Sequence, residues 1–144
     1  MLSPILAPGA ILALWSMVVL VWFTATRFSA IARLPKDQMR SLGRNGTRGQ
    51  DLERILPERA NWKSHNYTHL MEQPTVFYAV ILILAFAGAG GGINTYLAWG
   101  YTTLRILHSV WQATVNRLPV RMFLFAASSL CLLALAINAV LSTL

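Results

Sequence analysis

The sequence predicts an all-α integral membrane protein, a bundle of four transmembrane helices. Four stretches are apolar over roughly the 20 residues a helix needs to cross the hydrocarbon core. Charged residues make up 12% of the 144-residue chain, where a water-soluble domain carries about 25%. The charges are also segregated: nine of the twelve Lys and Arg residues lie between Arg27 and Lys63, between apolar runs and not within them. With 56% hydrophobic residues and a mean hydropathy of +0.52, the chain has the composition and length of one membrane domain, 1–144.

The first span is predicted over residues 5–25. Residues 1–26 hold no charged side chain, and the stretch is too long for the apolar region of a cleaved signal, so a retained helix is expected. A polar segment over 26–65 comes next, with nine basic and four acidic residues. Its centre, Gly43-Arg-Asn-Gly-Thr-Arg-Gly49, reads as a solvated, turn-rich loop. Asn45-Gly-Thr47 fits a glycosylation sequon, one that would go unused on a cytoplasmic loop.

The second span is predicted over 70–89. An uncharged turn, Gly88-Ala-Gly-Gly-Gly92, leads to a third span over 93–115. The short basic connection Asn116-Arg-Leu-Pro119 leads to a fourth over 120–141, with Pro119 suited to the first turn of that helix. Continuous apolar runs favour helices over the alternating pattern of a barrel. Loops one and three are basic and loop two is uncharged, so the positive-inside rule puts loops one and three in the cytoplasm and both termini on the other side.

The net charge of +7 does not mark a nucleic-acid binder, because no basic face interleaved with aromatics lies outside the spans. Cys131 allows no internal disulfide and reads as a small apolar filler. Trp15, Trp22, Trp99 and Trp111 read as packing or anchoring residues, and Trp62 and Tyr67 as part of an interfacial belt. Ala126, Ala127, Ser128, Ser129, Ala134 and Ala136 allow close helix contact on the fourth span.

Ionisable groups inside a span cost at least about 2.5–3.5 kcal/mol each at the centre, and here they cluster. His65, His69 and Glu72 have i, i+4, i+7 spacing on one face of the second helix. Arg105, His108 and Gln112 share a face of the third in the same way, at i, i+3, i+7. Counted inward from the loop ends, Glu72 and Arg105 reach similar depths, which predicts an ion pair between them. Such a pair by itself could simply lock two helices. The additional polar groups, with Arg117 and Arg121 at the mouth, predict a water-accessible pocket for an anionic polar ligand, next to a bilayer that supplies a lipophilic one. A zinc or iron site built from the same His and Glu residues is an alternative.

The stretch His65-Asn-Tyr-Thr-His-Leu-Met-Glu72-Gln-Pro74-Thr-Val-Phe77-Tyr78 resembles the second-helix signature of the MAPEG proteins, the membrane-associated proteins in eicosanoid and glutathione metabolism. Arg105-Ile-Leu-His108-Ser109, with Asn116-Arg117 and Arg121, resembles the family's pattern in and just beyond its third helix. The resemblance spans the whole chain. It implies a homotrimer with glutathione as co-substrate held between subunits, and a glutathione transferase or peroxidase acting on lipophilic small molecules.

By position, Glu72, Arg105, His108, Arg117 and Arg121 resemble the family's polar-site residues. Arg121 falls where catalytic members place the arginine that stabilises the glutathione thiolate. His65 and His69 stand where Arg and Asn are usual; Gln112 and Phe125 stand where several catalytic members have Tyr. An imidazole is shorter than a guanidinium and mostly neutral at neutral pH, so a non-catalytic membrane subunit that keeps the scaffold is the alternative. The His-Leu-Met-Glu-Gln-Pro form resembles a bacterial branch, implying an inner-membrane location.

Overall fold

In a computed structural model, residues 3–41 and 48–144 are described, so 43–47 of the turn-rich stretch, with its sequon, lie outside them. The described residues form six helices: α1 (Leu6–Ile31), α2 (Lys36–Ser41), α3 (Gly49–Glu53), α4 (Glu58–Phe86), α5 (Ile93–Thr114) and α6 (Leu118–Thr143). Two of these, α2 and α3, lie in the segment expected to be a loop. Helix α4 begins well before residue 70, because Pro57 stands at its N-cap and Glu58 in its first turn, where proline and an acidic residue suit a helix start.

The four long helices pack side by side. Helix α1 pairs with α4, α5 pairs with α6, and α4 and α5 touch each other and both outer helices. Buried residues recur seven apart: Ile5, Leu12 and Val19 along α1, and Leu70, Phe77 and Leu84 along α4. That spacing keeps one seam of each helix facing its neighbours. On α5 the same register runs through Ala98, Arg105 and Gln112, all buried, so its seam turns from apolar to polar along its length.

Helices α1, α4 and α6 are long and apolar enough to cross a membrane. Helix α5 is comparably long but less apolar. Its buried polar set, including Asn94, Thr102, His108 and Ser109, carries what a lipid-facing helix would exclude. The outward faces of α1 and α6 expose Leu14, Val21, Phe123, Leu130 and Leu141, as expected of surfaces solvated by lipid.

Pro74 lies inside α4 and cannot donate to the Leu70 carbonyl one turn earlier. The adjacent carbonyl of His69 instead accepts a hydrogen bond from Arg105 on α5. The thiol of Cys131 faces α5 at Gly100, where a Cβ would meet it at ordinary contact distance.

The ends of the helical body are fixed by polar contacts. Asn138 donates to Asn94 at 2.7 Å, and Asn94 donates to the Ala89 carbonyl at 2.9 Å. These contacts put the C-terminal part of α6 beside the α4–α5 turn. Thr102 donates to the Pro8 carbonyl, which brings the start of α1 to the same end. The opposite end holds α2, α3 and the α5–α6 turn.

In the α4–α5 turn Gly92 caps α5 at φ 55°, ψ −132°, a region that L side chains rarely enter. Gly91 has open space and no positive φ. Gly92→Ala should therefore destabilise the protein by about 1–3 kcal/mol, with Gly91→Ala near neutral. Thermal unfolding of the two variants in the same detergent checks this, and equal midpoints would refute the backbone argument.

Candidate functional site

The site builds from the seam between α4 and α5. Ser109 on α5 is buried and accepts hydrogen bonds from Trp15 on α1 and Asn66 on α4, both at 2.9 Å. One hydroxyl thus ties three helices. Across the same seam, Gln73 on α4 donates to Ser129 on α6 at 2.8 Å, and Tyr101 on α5 donates to Gln73 at 3.4 Å. Low-dielectric surroundings strengthen such bonds, and they hold the backbone beneath the predicted site residues.

Arg105 is 1% exposed. Its Nη2 donates to the His69 carbonyl at 2.8 Å, and its guanidinium lies 5.6 Å from the Phe125 ring centroid. Its Nε and Nη1 are buried with no hydrogen-bond partner among the described residues, as are Oε1 of Gln112 and Oδ1 of Asn66. Buried polar groups are normally hydrogen-bonded, so these atoms mark the polar stretch of the seam.

The expected Glu72–Arg105 ion pair does not form. Glu72 pairs instead with His69 on its own helix at 3.3 Å and keeps 61% of its side chain exposed. The reason is rotational. Leu70 lies on the seam of α4, and Glu72, two residues on, is turned about 200° away at roughly 100° per residue. Equal depth along two helices does not make two side chains face each other.

His65, His69 and Glu72 do share a face, the one that looks onto α3. With Arg27, Arg48 and Glu53 they line an open cleft of about 630 Å³. His65 pairs with Glu53 of α3 at 3.1 Å. Arg27, near the end of α1, donates to Ser64 at 3.3 Å and to the carbonyl of Gly49, and stands 5.5 Å from the Phe23 ring. Arg27 and Arg48 do not stand out in the sequence. Their signal is lost among the other basic residues of the first connection, although Arg27 is the first charge after the uncharged stretch.

On the other side of His69 is a smaller cavity of about 150 Å³, lined by His69, His108, Arg121, Met122 and Phe125. The His69 and His108 rings meet edge to face, 6.3 Å between centroids, and His108 is as far from Phe125. Arg121 is half-buried and donates to Asn116 at 2.8 Å, and Asn116 adopts φ 53° in the α5–α6 turn.

The single recess expected from sequence is thus two cavities that share His69 as a wall. Arg105 and Gln112 lie inside the helical body and line neither. Arg117 is exposed at the N-cap of α6, where its carbonyl accepts from Trp111. Among the described residues no group of three or more His, Cys, Asp or Glu side chains could hold a metal ion. With His65 drawn to Glu53, the alternative of a zinc or iron site has no ligand set there.

Long membrane-type helices with a buried polar seam and charged cavities at one end define a polytopic helical membrane protein with a polar site at that end. The chain belongs to the MAPEG family, whose model matches residues 5–141, nearly its full length. Neither the curated proteins nor the solved structures include a match.

Proposed function

We propose that the protein is a glutathione-dependent transferase or peroxidase acting on lipophilic electrophiles, at a cytoplasm-facing pocket completed between subunits of a homotrimer. Helix α5 serves as the fourth span, its polar face buried against its neighbours and its apolar face, with Tyr96 and Leu107, turned outward, and both termini lie on the non-cytoplasmic side.

The observation that carries this reading is the pair of cavities joined at His69. The larger sets guanidinium groups of Arg27 and Arg48 beside carboxylates of Glu53 and Glu72, a complement to a ligand bearing both carboxylates and an ammonium. The smaller sets Arg121 against Phe125 and Met122, a cation next to apolar surface. A thiol with a free pKa of about 8.5 becomes nucleophilic near neutrality only beside such a positive charge, and apolar walls favour an electrophile arriving from the bilayer. His65 and Glu72 face outward from the protomer, which supports completion by a second copy.

Saturable glutathione binding to the purified protein in nanodiscs is the expected result, measured by calorimetry. A second reading, a non-catalytic subunit, is favoured by one observation. His65 and His69 are each held by a carboxylate, leaving less positive charge for an anionic ligand. Absence of saturable binding, with co-purification in a larger complex, would select that reading.

A further inference from the structure

A separate cleft of about 580 Å³ lies between the last turns of α1 and the start of α4, and it shares no lining residue with the site. Its floor is apolar, formed by Ala30, Leu34, Ile55 and Ala60, and Arg33 and Arg59 stand in its walls. Among the described residues no acidic side chain lines it, in contrast to the site cleft with Glu53 and Glu72.

Among the described residues no carboxylate pairs with Arg33 or Arg59. The close contacts between basic and acidic side chains among those residues are His65–Glu53 and His69–Glu72. One turn beyond Arg59, the Lys63 ammonium stands 5.3 Å from the Trp22 ring centroid. Like charges four apart on a helix repel, so Arg59 and Lys63 form a pair that a bound anion would relieve.

The cleft also lies at the right depth. Trp22 and Lys63 are residue types that anchor at the headgroup level, and Ala25 and Thr26, the last residues of the uncharged stretch, line the cleft. Guanidinium groups match phosphate oxygens in bidentate geometry, and an apolar floor below them matches glycerol and the first acyl carbons.

We propose that this cleft binds the phosphodiester headgroup of an anionic phospholipid from the leaflet that meets the α1–α4 connection. The test uses the full chain in nanodiscs of equal parts phosphatidylglycerol and phosphatidylcholine, transferred to detergent, with retained lipid read by native mass spectrometry. The protein should retain phosphatidylglycerol over phosphatidylcholine by about tenfold, the scale expected of cations at an anionic headgroup. Arg33→Gln with Arg59→Gln should abolish that preference. Lys36→Gln with Arg40→Gln, an equal change of charge on α2, should leave it intact.

Equal retention of both lipids, equal loss in the two double variants, or displacement of the lipid by millimolar inorganic phosphate would each overturn the proposal. A variant-independent arm photolabels the unmodified protein with a headgroup-diazirine phosphatidylglycerol. Labelling should fall on residues 29–34 and 55–60, and labelling confined to other segments would count against the cleft.

Discussion

Under the proposed function, Arg121→Ala is expected to lower glutathione conjugation by about 10²–10³-fold, the scale seen when one charge-stabilising donor is removed from a reacting centre. The protein should still fold, because Arg121 is half-buried and its side-chain hydrogen bond to Asn116 contributes about 0.5–1.5 kcal/mol. The pH dependence comes from the same charge. A cation lowers the pKa of a bound thiol, so its loss returns the thiol toward its free value, and the residual rate of the variant should rise with pH across that range. Arg121→Lys keeps the charge without the planar fork and should recover part of the rate. Steady-state conjugation against pH, with thiolate absorbance of the bound tripeptide, measures both effects. An unchanged rate in Arg121→Ala would assign the thiolate to another cation.

Arg105→Met tests whether the buried guanidinium is a helix lock. Arg105 is buried without a carboxylate partner among the described residues, with Nε and Nη1 unpaired. Replacing buried charges by apolar side chains of similar volume is often neutral or stabilising by about 1–4 kcal/mol. The unliganded protein should therefore unfold at the same temperature or higher, despite losing the bond to the His69 carbonyl. Arg105 lines neither cavity, so its effect on ligand affinity acts only through the His69 backbone that it holds and should be small, about threefold or less. Glu72→Gln should leave protomer stability nearly unchanged, since that side chain is mostly exposed. A large loss of stability in Arg105→Met would instead make the guanidinium a structural tie between α4 and α5.

The helices were legible because burial in lipid or in a helical seam imposes long apolar runs that survive as composition. Their ends were less so. Helix α4 extends through Trp62, Lys63 and His65, polar and interfacial residues that form good helix outside the hydrocarbon without a continuous apolar signal. Helix α5 was legible from length and its turns, yet Arg105, His108 and Gln112 lower its apolarity, and only its position between α1, α4 and α6 explains how such a seam is sheltered. The grouping of His65, His69 and Glu72 was also readable, because i, i+4, i+7 spacing is a property of one helix.

From the amino-acid order alone came the membrane-type helices, the polar end of the molecule and the family resemblance, all of which depend on local periodicity and residue type. The tertiary structure decided what those polar residues face. Rotation of α4 about its axis turns Glu72 away from Arg105, brings Arg27 from α1 and Glu53 from α3 into its cleft, and leaves His69 as the wall between two cavities. The rotation results from packing Leu70, Phe77 and Leu84 into the seam with α1 and α5, and no spacing within a single helix encodes which way its neighbours lie.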